Sequence, residues 1–237
     1  MYSISKFAAG AAVTCMVAIS SPAYATDTFA QFLQTITNAR IFTYTNVNSG
    51  GLNAKLGTVG GSNTVLLSDL GSLASPSIAT ASLVGTATAL PTVGLNIEQL
   101  FSGSLTFTLL VPQLGMSGWS TNALTVNFTD AILYAAPGGS APTLQANSGS
   151  GSTITYVSDF ADLSGVTAED FALSFSGASV PLSMAGGRLP DFRVSGSGTF
   201  AATLATPEPA SWSMMLGGFG LMGALMRSRR KGRVAFG

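Results

Sequence analysis

Through the middle of the chain apolar and polar residues alternate with a period of two, the period of a strand with one buried face. Ser104 to Leu109 places Leu105, Phe107 and Leu109 on one side, and Leu124, Val126 and Phe128 repeat the pattern. At Thr129-Asp130-Ala131 the phase breaks and Leu133 resumes on the other side, a spacing that predicts a β-bulge. Further strands are expected at Arg40–Thr45, Asn63–Leu67, Ile78–Leu83, Thr153–Val157, Phe171–Phe175 and Phe192–Leu204. The last points Phe192, Val194, Gly196, Gly198, Phe200, Ala202 and Leu204 inward, with two glycines that mark a bend or a close contact. Gly50-Gly51, Gly60-Gly61, Ala136-Pro137-Gly138-Gly139 and Ser148-Gly149-Ser150-Gly151 supply the turns. Helical spacing is confined to two ambiguous stretches, Phe29–Ile36 and Asp159–Glu169, so the repeated long helices of a βαβ fold are missing. The pattern predicts an all-β domain over residues 26–206, an antiparallel two-sheet β-sandwich or jelly roll, with a barrel as the alternative architecture. Ala201–Thr206 is expected to form a short stalk beyond it.

Alternation stops at both ends. Lys6 precedes an apolar run from Phe7 to Ile19, and Ala23-Tyr24-Ala25 has the small-x-small order of a secretory cleavage site. Residues 1–25 therefore read as a signal peptide, removed after Ala25 by signal peptidase once the secretion machinery has engaged it. Cys15 is a poor lipoprotein cysteine, since Ala12-Val13-Thr14 before it lacks the usual leucine and small residue. At the other end Ala210–Met226 contains no charge and no polar face. As a helix it would rise about 25 Å, near the short limit for a bilayer span. Arg227, Arg229, Arg230, Lys231 and Arg233 follow it and would stay cytoplasmic, leaving the large domain outside. Gly217, Gly218, Gly220 and Gly223 permit close approach to another membrane helix.

This C-terminal segment, residues 207–237, resembles the PEP-CTERM sorting signal of exported proteins from Gram-negative bacteria. The likeness rests on Pro207-Glu208-Pro209, Trp212, the core Gly217-Gly218-Phe219-Gly220 with Gly223, and the arginine-rich end. It implies recognition by an exosortase-type membrane protease in bacteria that make exopolysaccharide. Proteins of this kind share an export fate rather than a reaction, so the resemblance implies no catalytic mechanism.

Composition narrows the chemistry. The chain has no histidine, and its single cysteine lies in the expected leader. Histidine-dependent nucleophile systems, histidine metal ligation and disulfides are thereby excluded from the mature domain. A formal charge of zero conceals asymmetry: Asp27, Asp69, Glu98, Asp130, Asp159, Asp162, Glu169, Asp170 and Asp191 face only Arg40, Lys55, Arg188 and Arg193 between residues 26 and 206. A domain so acidic lacks the basic patch a nucleic-acid partner requires. Asp159, Asp162, Glu169 and Asp170 cluster in sequence, yet lack the spacing of an EF-hand loop, and solvated loop acids are the simpler reading. Trp119, Tyr44, Tyr134 and Tyr156 are the aromatic residues that could meet a glycan, though packing is their ordinary use. Asn127-Phe128-Thr129 has the form of a glycosylation sequon inside an expected strand and is assigned no role.

Taken together these features predict a non-catalytic envelope or extracellular-matrix protein associated with exopolysaccharide or biofilm, without catalytic, cofactor or metal residues. Its precursor is membrane-anchored and its mature form lies at the cell surface or outside the cell. The alternatives are a carbohydrate- or calcium-dependent binding module and a carboxylate-based hydrolase.

Overall fold

The computed structural model describes residues 26–46 and 53–204, together with position 219. Twelve strands run in chain order: β1 (Asp27–Gln34), β2 (Phe42–Thr45), β3 (Lys55–Thr58), β4 (Asn63–Ser68), β5 (Ser77–Ala87), β6 (Thr92–Val93), β7 (Ile97–Gly115), β8 (Gly118–Ala135), β9 (Thr143–Asn147), β10 (Thr153–Val157), β11 (Val166–Ser176) and β12 (Phe192–Leu204). All pairings are antiparallel. The all-β antiparallel class is as expected, and the sheet closes on itself as the alternative architecture requires. Following hydrogen-bonded neighbours from β1 through β4, β5, β7, β8, β9, β11 and β12 leads back to β1, an eight-stranded barrel rather than a two-sheet sandwich or jelly roll. Closure comes from pairing the first strand with the last, Asp27 opposite Ala202 and Phe32 opposite Gly198. It removes the exposed edges of an open sheet.

The wall between β12 and β5 is built twice, one short ladder above another. At one end β1 and β4 bridge them, through Ala202–Gly198 of β12 and Ser77–Ala81 of β5. At the other end β2 and β3 do so, through Phe192–Val194 and Val84–Thr86. Where β12 changes partner, the Gly196 N–H donates to Gln34 Oε1 at 2.8 Å, so the freed backbone donor is satisfied. β8 changes partner from β10 to β9 at the expected bulge, where Phe101 lies opposite Ala131 but Gly103 opposite Phe128. Asp130 takes φ 55° there; its N–H donates to Ser102 Oγ at 3.2 Å and its carbonyl accepts from Ser152 Oγ at 3.1 Å.

Every second residue points into a lumen just wide enough for side chains to fill. Phe32, Phe107, Phe171 and Phe200 are buried and their rings meet at 5.1 to 6.4 Å between centroids. Small residues face these large ones. A Cβ on Gly198 would lie 2.5 Å from Leu173 Cδ2 and 2.6 Å from Phe32 Cε1, and one on Gly196 2.8 Å from Phe175 Cδ1, so the expected close contact at both glycines is with large apolar side chains inside the barrel. Outward positions on the same strands are largely Thr and Ser, as Thr80, Ser82, Ser104, Thr106 and Thr108 illustrate. This is the reverse of a transmembrane barrel, whose apolar face is turned outward.

Two buried tyrosines set an alkaline limit to this stability. Burial pushes Tyr44 up to about 12, with the charge of Asp191 adding to the rise, while its hydroxyl donates to Gln99 Oε1 at 2.9 Å. Tyr156 is raised too, first by burial and then by the charges of Asp170 and Glu169. An unfolded tyrosine ionises near pH 10 while the folded one keeps its proton, so the contribution is intact below that pH and is lost as pH rises from about 10 to about 12. Each tyrosine is expected to remove about 1.4 kcal/mol of stability per pH unit across that window. Urea midpoints measured at rising pH alongside phenolate absorbance check this, and a flat profile above pH 10 would contradict it.

Two expectations change. Of the ambiguous stretch Phe29–Ile36, residues 29–34 are strand, because Ala30 and Phe32 enter the lumen while β12 and β4 flank it, and Thr35 and Ile36 form the bend that follows. Ala201–Leu204 is not a stalk but the end of β12, paired with β1 and β11. The candidate membrane helix 210–226 lies outside the described residues, apart from Phe219; among those described, no helix is long and apolar enough to cross a membrane.

Candidate functional site

The two ends of the barrel domain leave from the same place. Asp27 sits beside Ala202, and Val166 beside Leu204, so the first and last strands enter and leave at one rim. Strand direction puts the β7–β8 hairpin tip at that rim as well, since β7 runs parallel to β12 in the ring. The expected cleavage residues Ala23 and Ala25 lie outside the described residues. So do Pro207, Glu208, Pro209, Trp212, Gly217, Gly218, Gly220 and Gly223, and the basic residues Arg227, Arg229, Arg230, Lys231 and Arg233. Phe219 is described, as an exposed residue.

The acidic residues are held apart by separate local bonds. Asp159 accepts from Ser120 Oγ. Asp162 accepts from the Ser164 hydroxyl at 2.7 Å and its N–H at 3.1 Å, and these bonds, the hydroxyl first, hold its carboxyl below the usual range. Asp170 accepts from Asn147 Nδ2 at 3.0 Å. Among the described residues no group of three or more acidic, cysteine or histidine side chains could hold a metal ion. The Asp159–Glu169 stretch is a turn leading into β11 rather than a helix.

Of the four candidate glycan aromatics, two are structural. Tyr44 is fully buried and stacks on Phe192 at 4.9 Å, while the Tyr156 hydroxyl donates to the Asp170 carbonyl and ties β10 to β11. Trp119 is 75 % exposed on the β7–β8 hairpin. Tyr134 lines an outer groove of about 310 Å³ with Gln145, Asn147, Ser150 and Asp170. The groove floor is the β8–β9 ladder, and the Ser148–Ser150 turn forms one bank, capped by the Asn147 side chain, which accepts from Gly149 N at 2.7 Å. One aromatic ring beside amide, hydroxyl and carboxylate groups suits a sugar ring, with its apolar face and polar rim.

Residues 205–231 match the PEP-CTERM protein-sorting motif, beginning one residue after β12 ends. The chain carries a PEP-CTERM sorting signal. The PEP-CTERM signal marks an exported protein that an exosortase-type membrane protease processes, and here it is joined to the barrel without an intervening domain. No curated protein and no solved structure matches the chain.

In this PEP-CTERM protein the groove residues Gln145, Asn147 and Ser150 carried no signal that sequence could isolate. They belong to a five-residue strand and a turn whose glycines read only as a loop, and Asp170 joins them through the β9–β11 ladder. The exposed apolar residues of the β7–β8 hairpin were equally hidden, because local pattern does not tell an inward from an outward leucine.

Proposed function

We propose that this protein is a non-catalytic component of the cell envelope or extracellular matrix, delivered to the surface by its sorting signal and associated there with exopolysaccharide. The observation that carries the reading is the fusion of a sorting motif at residues 205–231 to a closed barrel ending at Leu204. A barrel with an interior packed by aromatic rings is a self-supporting unit that can be released intact. Its outward Ser and Thr hydroxyls provide many weak hydrogen-bonding positions for a hydrated polymer. Asp159, Asp162 and Asp170 each accept from a different neighbour, Ser120, Ser164 and Asn147.

A carbohydrate-binding role is the second reading, favoured by the groove around Tyr134, Gln145 and Asn147. The two readings separate in one experiment. Protein recovered from the envelope and medium is expected to begin at Thr26, to lack the tail, and to cosediment with isolated exopolysaccharide. Cosedimentation unaffected by Tyr134→Ala supports dispersed contact along the wall; loss of it assigns the groove. Recovery of intact Met1 from the envelope overturns the leader assignment. Polysaccharide turnover abolished by one acidic substitution would establish a hydrolase instead.

A further inference from the structure

The β7–β8 hairpin continues past the barrel. Leu109 is the last β7 side chain in the lumen, yet after an irregularity between Thr108 and Gln113 the two strands pair again from Gln113 opposite Ser120 to Gly115 opposite Gly118. One face of this extension is fastened down. Gln113 Nε2 donates to Ser77 Oγ at 2.9 Å, and Gln113 Oε1 accepts from Ala74 N at 3.3 Å. The Met116 N–H donates to the Asp159 carbonyl at 2.8 Å, and a Cβ on Gly115 would lie only 2.4 Å from that oxygen. The projection is therefore a fixed part of the fold. Its other face is apolar and open: Leu110, Leu114 and Trp119 are all more than half exposed, with Leu114 directly opposite Trp119. No charged residue occurs from Gln99 to Thr129. The apolar surface continues around the wall, where Leu33 pairs with Leu66 and Leu66 with Ile78, whose neighbour Ala79 pairs with Leu109.

The place of this ridge specifies what it meets. It stands on the rim from which β12 leads into the tail, and only residues 205–209 separate Leu204 from the apolar run that starts at Ala210. Five extended residues span at most about 18 Å. On its β8 side, from Asn122 opposite Thr108 to Gly118, the hairpin reaches about 13 Å at the rise of a strand. A barrel held by so short a tether keeps its rim within about 18 Å of the bilayer, a gap the hairpin crosses when the tether is not fully extended, and the tether supplies a high effective concentration. Tryptophan with flanking leucines is the composition that settles at the boundary of headgroups and acyl chains. Asp27, Asp69, Asp159 and Asp162 lie around the same rim, whereas Lys55, Arg188 and Arg193 lie toward the other end, so the ridge is matched to zwitterionic rather than anionic lipid.

We propose that in the anchored precursor Trp119, Leu114 and Leu110 insert into the headgroup region of the membrane, seating the barrel on the bilayer until the tail is cut. This rests on the tail being the anchor, and the two ideas are separable because each has its own tryptophan. The full-length precursor is reconstituted into vesicles rich in phosphatidylethanolamine that contain brominated lipid, as Trp212→Phe, which leaves Trp119, and as Trp119→Phe, which leaves Trp212. Both tryptophans are expected to be quenched, Trp119 losing about half its emission and shifting to the blue. Leu114→Asp in the Trp212→Phe background is expected to abolish the Trp119 quenching while circular dichroism stays unchanged. Quenching of Trp212 without Trp119 overturns the seating and leaves the anchor standing. Quenching of neither overturns both. A blue shift of Trp119 that follows protein concentration without quenching overturns the membrane contact in favour of a second copy of the chain.

Discussion

Phe200→Ala is expected to destabilise the barrel by about 3–5 kcal/mol, measured as a shift in the urea midpoint at constant slope. Phe200 is fully buried on β12, and its ring touches Phe32 of β1, Phe107 of β7, Tyr156 of β10 and Phe171 of β11. β7 and β12 stand on opposite sides of the eight-stranded ring, so the Phe107 contact, 5.6 Å between centroids, spans the lumen. Truncation opens a void that neighbours cannot fill, because they hang from closed walls whose spacing is set by backbone ladders. The expected loss is a large share of the 5–15 kcal/mol typical of a domain, on the order of a third. Thr199→Ala, one residue away on the outer face, is expected to cost less than about 0.5 kcal/mol. Equal effects at the two positions would mean that the lumen is not the core.

Phe200 is also where sequence reasoning reached furthest. The alternation from Phe192 to Leu204 named β12, with Phe192, Val194, Phe200 and Ala202 buried as expected, and Thr153–Val157 matched β10 in full. The bulge at Thr129-Asp130 was visible because a phase change leaves a mark in the order of apolar residues. β1 was not visible as a strand. Phe29, Phe32, Leu33 and Ile36 have helical spacing, but Leu33 and Ile36 are exposed and a register shift between Thr28 and Ala30 disturbs the strand phase. Pairing with β12 and β4 overrides the local pattern. Closure was illegible for a different reason. A sandwich and a barrel both require one inward residue in two, and only the long-range pairing of Asp27 with Ala202 distinguishes them.

The candidate site divides along the same line. The sorting motif was legible because its residues are read in sequence order, and Pro207, Glu208 and Pro209 need no fold to be recognised. The outer groove was illegible because Tyr134, Asn147 and Asp170 come from three strands and meet only through the β8–β9 and β9–β11 ladders. The acidic cluster follows the same line: Asp159, Asp162 and Asp170 are near in sequence but engage different partners in the fold.

Substituting Pro207→Ala and Pro209→Ala together is expected to abolish tail processing while leaving the barrel folded. The two effects separate because the motif begins beyond Leu204, the last residue of β12, and Pro207 and Pro209 belong to none of the described strand pairings. From the sequence, two prolines flanking Glu208 are expected to restrict the backbone on both sides of its carboxylate and to disfavour helix before the apolar run, which would suit an extended segment of the kind a protease binds. Alanine at both positions frees the backbone and lets the helix propensity of the run extend backward over the recognition site. The precursor should accumulate in the membrane fraction at its uncut mass, with the urea midpoint of its barrel unchanged. Glu208→Gln separates shape from charge: it keeps both prolines, so processing should persist if the extended backbone is what is recognised and fail if the carboxylate is. Deleting Arg227 to Arg233 tests the remaining part of the tail, since an unspecified orientation should leave a fraction of precursor uncut even with the motif intact. Normal processing of the double variant would falsify the recognition role of Pro207-Glu208-Pro209 and shift it to the apolar run itself.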